Sequence, residues 1–221
     1  MKTTLKLYFL IFIFFIFSTY NNKDNKNNFS FFFPIKKILI ENNVAINLLE
    51  LKSDFNFLID TSLIFLNKEI FISTSDRHDF ISSIQVKKKY PNTLQIKIIE
   101  KIPVAIQITN KRKFYITKSD EKINFIDISN YGNLPLIIGK HKNFDIFYGD
   151  LERNNFKINE IKAFYYFEIG RWDIVLKNEK IIKLPKNYLD LLPRINLMLN
   201  DNKLSKYKTL DFRIKDQLIL Q

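Results

Sequence analysis

The chain has 221 residues, no cysteine and a net charge of +12. Disulfide staples and cysteine-ligated metals are thereby excluded, and the length suits one short anchor plus one or two small domains. A basic balance raises nucleic acid or an anionic membrane surface as partners. The lysines are spread along the chain instead of gathered in a block, so they read as solvated faces and not as a nucleic-acid patch.

Residues 7–17, LYFLIFIFFIF, are unbroken apolar sequence behind Met1, Lys2 and Lys6. Counted over residues 5–20, the apolar stretch makes a helix of about 24 Å against a bilayer core of about 30 Å. It is short for a span and also fits the apolar region of a signal peptide. Ser18, Thr19 and Tyr20 put a bulky ring where a cleavage site wants a small residue. Lys6 can snorkel, and Tyr8 and Tyr20 can sit at the interfaces. We read residues 1–20 as an uncleaved anchor, with the bulk of the chain on the far side of the membrane. Residues 21–32 read as a linker: NNKDNKNN is polar and without apolar period, and the phenylalanines after it lie at the membrane surface or feed the next strand.

Residues 33–41 carry Ile35, Ile38 and Ile40, a first strand, and Asn42-Asn43 supply a turn. Val44, Leu48 and Leu51 stand at helical spacing with Asn43 as N-cap, and a second helix is expected near residues 63–73. The clearest local signal follows. Ile84 and Val86 alternate with polar neighbours, as do Leu94, Ile96 and Ile98, each the period-2 pattern of a strand with one buried face. Between the two runs, Pro91 has its φ preset for a turn and Asn92 tolerates left-handed geometry. A hairpin with one apolar and one basic face results, and Pro103 ends or offsets its second strand.

Short strands dominate from Val104 onward. Val104, Ile106 and Ile108 alternate; Phe114, Tyr115 and Ile116 follow a basic turn; residues 123–128 are another apolar run. Ile158, Ile161 and Tyr165 suggest a helix over residues 156–167. Trp172, Ile174 and Leu176 share one face of a strand that turns at Asn178-Glu179. Residues 188–200 are amphipathic through Leu192, Ile195 and Leu199, with Pro193 at a kink or start. Leu210, Phe212 and Ile214 alternate with Asp211, Arg213 and Lys215 in what reads as a final, edge strand.

Several of these stretches resemble one family. Val86, Lys87, Pro91, Leu94, Ile96, Ile98, Glu100, Lys101, Pro103 and Ala105 recur in that order in the closing strand pair of the POTRA domain of the bacterial cell-division family FtsQ/DivIB. Phe80 stands close to the aromatic that precedes the second strand there. LPLIIG at residues 134–139, RWDIVL at 171–176 and TLDFR at 209–213 are similar to three segments of the family's β domain. Asparagines replace turn glycines here, and almost no tail precedes the apolar stretch. The resemblance implies an α+β protein: an N-terminal transmembrane helix, a small POTRA domain (β-α-α-β-β) over residues 33–103, and a mostly antiparallel β domain with flanking helices over residues 104–221. It implies a division scaffold of the inner membrane, single-pass, with its bulk in the periplasm at the septum. Such a scaffold links early and late divisome proteins by binding small coiled-coil proteins of the FtsB and FtsL type. Leu210, Asp211, Phe212, Arg213, Lys215 and Gln217 are the candidate partner-binding residues, because an unpaired strand edge can accept a strand from a partner.

No catalytic, cofactor or metal site is expected, nor a small-molecule substrate or nucleic acid. His78, in a polar loop beside Asp76 and Asp79, and His141, in a basic turn, read as exposed loop histidines, although either could join an acid–base or metal site. No phosphate-binding loop, dinucleotide fingerprint or nucleophile elbow is present. Asp211 and Arg213, two apart on a strand, read as a structural or partner-facing pair. The alternative function is an exported POTRA-containing chaperone or outer-membrane assembly component. A barrel is excluded by the shortness of the region after residue 104 and its interruption by helical pattern.

Overall fold

The computed structural model of the chain describes residues 2–18, 32–109 and 112–221. Helix α1 (Lys2–Ser18) holds the apolar stretch. Its 17 residues span about 25 Å at 1.5 Å per residue. Among the described residues no helix is long and apolar enough to cross a membrane. The linker over residues 21–31 lies outside the described residues.

Two sheets follow. The first has three strands in the order β1 (Lys37–Glu41), β3 (Thr93–Glu100), β2 (Ile81–Lys89), with β1 parallel and β2 antiparallel to β3. Helices α2 (Leu48–Phe55) and α3 (Glu69–Arg77) connect β1 to β2. The alternation of β3 appears as expected: Leu94, Ile96 and Ile98 are fully buried, while Lys97 is exposed. They pack with Ile35, Leu51, Phe55, Leu58, Leu63 and Phe71.

Two helix boundaries differ from the sequence reading, and one side chain explains the first. Glu100, at the end of β3, accepts hydrogen bonds from the backbone N–H of Val44 (2.9 Å), Ala45 (2.8 Å) and Ile46 (3.2 Å). Those donors are held in a non-helical leader, so α2 starts later and its N-cap is Asn47, whose Oδ1 accepts from Leu49 N at 2.8 Å, not Asn43. The start of α3 is likewise displaced. Ser62 bridges Pro34, and Leu63 N donates to Phe33 O (3.0 Å), so this segment runs alongside the entry to β1. Glu100→Ala strips three backbone N–H groups of a charged acceptor. The expected loss is about 2 kcal/mol, read by chemical denaturation of the full chain; a loss under 0.5 kcal/mol would mean that water replaces the carboxylate fully.

The second sheet has nine strands in the order β12-β11-β10-β9-β8-β7-β4-β5-β6. These are β4 (Pro103–Thr109), β5 (Arg112–Thr117), β6 (Lys122–Asn124), β7 (Leu136–Ile138), β8 (Ile161–Phe167), β9 (Arg171–Leu176), β10 (Ile181–Lys183), β11 (Thr209–Asp211) and β12 (Ile219–Leu220). Most pairings are antiparallel; β4–β7, β7–β8 and β10–β11 are parallel. Residues 156–167 are a short 3-10 turn and a strand, not a helix. The helical spacing of Ile158, Ile161 and Tyr165 is overridden by an aromatic-rich segment paired on both sides by β7 and β9. The helix of this region is α4 (Phe144–Arg153), which buries Phe144, Phe147, Tyr148 and Leu151 at i, i+3, i+4 and i+7. Helix α5 (Leu192–Leu199) lies where expected, with Pro193 in its first turn.

Gly139 ends β7 at φ +106°, and a Cβ there would run into the carbonyl oxygen of Tyr166 in β8. Asn42 and Glu179 also occupy left-handed backbone (φ 64° and 66°) at turns where the sequence carries no glycine.

The two sheets share their packing. Ala105 faces the core of the large sheet, whereas Ile106, Tyr115 and Ile123 join the core of the small one. Phe80, just before β2, meets Tyr115 at 5.7 Å and Tyr131 at 6.4 Å between ring centroids. Asp79 accepts hydrogen bonds from the backbone and side-chain N–H groups of Asn124, and Lys101 pairs with Glu121 at 3.0 Å.

Candidate partner-binding surface at the sheet edge

Strand β11 is not the edge of the sheet. Its pairing with β12 covers it, Leu210 opposite Leu220 and Asp211 opposite Ile219. A turn through residues 214–217 reverses the chain, with Asp216 in left-handed backbone. Thr209 and Gln221 exchange both backbone hydrogen bonds, 2.8 and 3.1 Å. In an antiparallel ladder the next pair is then non-hydrogen-bonded, so the N–H and C=O of Leu220 point away from β11. The outer side of β12 is therefore the strand edge available to a partner at this end of the sheet.

The structure separates the residues that the sequence grouped. Leu210 and Phe212 are buried, and Phe212 N donates to Lys183 O at 2.9 Å; a partner cannot reach either side chain without opening the core. Arg213, Lys215 and Gln217 are exposed beside and within the β11–β12 turn. Asp211 is buried by Arg213, whose guanidinium donates to both of its carboxylate oxygens at 2.6 to 3.0 Å. That pairing holds the Asp211 carboxyl below its usual range, against the upward push of burial.

One feature of this surface was not visible in any single segment. The register sets Tyr165, Asp173, Lys183, Asp211 and Ile219 side by side across five strands, on the face opposite Trp172, Ile174, Ile182 and Leu210. Lys183 stands between two aspartates, with Arg171 and Arg213 flanking them. Asp173 and Arg171 approach only to 3.7 Å, and Asp173 Oδ1 and Arg171 Nε have no hydrogen-bond partner. Burial holds the Asp173 carboxyl above its usual range, against the downward pull of Arg171, the Leu184 backbone N–H, Arg213 and Lys183. Arg171 also lies over the Phe167 ring, 4.2 Å from its centroid. Exposed apolar groups frame the charged row: Phe167, Ile169, Ile214 and Ile219. The signal for this row is pairing register, which a single sequence does not print.

The Asp211–Arg213 pair carries a pH signature. An acid whose folded pKa is depressed adds stability above its unfolded value and loses it as pH falls through the folded one. Arg213→Ala should thus melt below the parent protein at pH 7. The gap should close as pH falls from about 4 towards 2, the range below an ordinary aspartate. A gap independent of pH would assign the loss to packing.

Neither histidine is an exposed loop residue. His78 Nε2 meets Asp54 of α2 at 2.6 Å, with Arg77 on the same carboxylate, and its side chain is nearly buried. His141 is more enclosed: it meets Asp120 at 2.7 Å and Gln107 at 2.8 Å, and rests against the rings of Phe144 and Trp172. Both tie separate elements together. Among the described residues no group of three or more His, Asp or Glu is placed to hold a metal. In the small sheet, whose end strands are β1 and β2, an apolar groove of about 570 Å³ lies between β2 and α3, where Leu66, Phe71, Ile72, Ile84 and Val86 line it.

The three-stranded β-α-α-β-β unit, whose last strand ends at Glu100 tied to the leader of α2, has the architecture of a POTRA domain and continues into a large mixed sheet. Residues 33–101 match the POTRA domain of FtsQ type. The chain is similar to the cell division protein FtsQ of Rickettsia typhi, 26% identical over 198 residues that cover 86% of this chain and 73% of that one. The FtsQ of Rickettsia prowazekii gives 26% identity with 86% and 72% covered, and that of Rhizobium meliloti 23% identity with 70% and 50% covered. The chain is thus similar over most of its length to bacterial cell division proteins named FtsQ, and its residues 33–101 to the FtsQ-type POTRA domain.

Proposed function

We propose that this chain is a scaffold of the division apparatus: anchored in the inner membrane by residues 1–20, it carries its bulk into the periplasm and docks small single-span coiled-coil proteins of the FtsB and FtsL type at the septum. In this reading residues 33–103 are the POTRA domain and residues 104–221 the β domain that holds the partner. The outward-facing Leu220 backbone on β12 carries the reading, because an extended segment of a partner can add there as a further strand. The charged row beside it, with Arg171 and Asp173 incompletely satisfied, supplies register and selectivity through complementary charge. Arg213, Lys215 and Gln217 are the side chains within reach of an added strand. The similarity to cell division proteins named FtsQ favours docking over catalysis.

Co-purification of full-length chain with a coiled-coil partner tests this. Leu220→Pro removes the outward N–H at a position where an edge strand tolerates proline, and Lys215→Glu reverses an exposed charge at the adjacent turn. Both variants are expected to fold and to lose most of the partner. Full recovery by both would overturn the β12 site. Arg213→Glu is a poorer probe than its exposure suggests, since it also breaks the internal pair with Asp211.

A further inference from the structure

One end of the three-stranded sheet presents aromatic and basic groups together. Phe32, Phe33, Ile64 and Tyr90 are 59, 42, 43 and 57% exposed, and backbone contacts bring them to one place. Ser62 Oγ donates to Phe32 O (2.7 Å), Leu63 N to Phe33 O (3.0 Å), and Lys36 N to Asn92 O at the hairpin tip (2.8 Å). The rings of Phe33 and Tyr90 meet edge to face at 5.0 Å. Phe33 has φ 54°, a conformation that a bulky residue adopts only when the surroundings impose it. The cost is accepted here to hold an apolar ring at the surface.

Lysines surround this apolar end. Lys37, Lys88 and Lys89 are exposed, Lys88 Nζ reaches Ile64 O at 3.0 Å, and Lys36 pairs with Asp60, the carboxylate of this group, at 2.6 Å. Aromatic rings that settle at headgroup level, ringed by ammonium groups, match the two needs of a peripheral contact with an anionic bilayer. Thirteen residues separate Phe32 from the end of α1 at Ser18, a tether of at most about 45 Å. We propose that this end of the POTRA domain lies on the anionic membrane surface, with Phe32, Phe33, Ile64 and Tyr90 at headgroup depth and Lys37, Lys88 and Lys89 on the phosphates. The proposal draws on the membrane-anchored reading for proximity, and its surface chemistry is separate from it. Docking would fix the orientation of the domain, and so the height at which the nine-stranded sheet meets its partners.

The test uses the full chain in phosphatidylglycerol vesicles whose acyl chains carry bromine, a short-range quencher of tryptophan. Tyr90→Trp places a probe in the surface, Phe32→Trp is a second probe should the first misfold, and Leu197→Trp on α5 is the control. The native Trp172 is buried and common to all. Quenching at position 90 or 32 but not at 197, weaker in phosphatidylcholine, is the expected result. Reversing Lys88 and Lys89 to glutamate should lower occupancy of the quenched state roughly fivefold or more for each lysine. A chain that floats with vesicles yet shows no quenching at positions 90 and 32, or equal quenching at 197, overturns the proposal. An alkaline carbonate wash separates the two readings: quenching in a chain that the wash strips off keeps the surface and rejects the anchor, whereas a resistant chain without quenching keeps the anchor and rejects the surface.

Discussion

Ile96→Asp is expected to abolish cooperative folding of the small sheet. Ile96 is fully buried on the middle strand, among Leu51, Phe55, Leu58, Leu63 and Phe71. Truncating a buried isoleucine costs about 2–5 kcal/mol, and enclosing a carboxyl without a partner adds several more. The sum approaches the whole stability of a domain, about 5–15 kcal/mol. Because Ile106, Tyr115 and Ile123 belong to the same cluster, the loss should reach β4–β6 as well. Lys97→Ala, one residue on and exposed, should change stability by no more than about 0.5 kcal/mol. Circular dichroism melts of both variants check this; equal melts would place the strand in the opposite register.

Trp172→Ala should be the most damaging truncation in the large sheet. The indole stacks on Phe147 at 4.6 Å and 3° between planes, and lies within 6.5 Å of Tyr166, Phe144, Phe164 and His141. It thus fastens α4 to β8 and β9 and closes over the His141–Asp120 pair. Removing it costs about 3–5 kcal/mol, or about 10 °C in melting temperature for a chain of this size. Trp172→Phe should recover more than half of that. A melt unchanged by the alanine variant would mean that α4 docks through its other aromatics alone.

The strands with one buried face were legible because alternation reports burial directly: Leu94, Ile96 and Ile98, or Trp172, Ile174 and Leu176, needed no partner strand to be read. Elements whose limits are set at a distance were not. The start of α2 depends on Glu100, more than fifty residues away, taking the donors that Asn43 would otherwise help to cap. The start of α3 depends on the pairing of residues 32–35 with residues 60–63. Strand β8, paired on both sides, has lost clean alternation, and three apolar residues at helical spacing imitate a helix there. Helix α4 was missed in turn: Asn143 enters it in left-handed backbone, and no side chain of its own caps it.

The candidate site shows the same division. Asp211 and Arg213 as a pair were readable from their spacing, and the pair is present. That β11 is interior required seeing residues 214–217 as a turn and Ile219–Leu220 as a strand, a two-residue element with too little length to show a period. The charged row from Asp173 to Asp211 exists only as register between strands far apart in sequence.

The most direct measurement of the central claim is amide hydrogen exchange across residues 209–221 of the full chain, with and without a coiled-coil division partner. The Leu220 amide, which points out of the sheet, should exchange readily alone and become protected on binding. The Thr209 and Gln221 amides, already bonded to each other's carbonyls, should change less. A partner that binds while Leu220 continues to exchange at its free rate would contradict docking at β12.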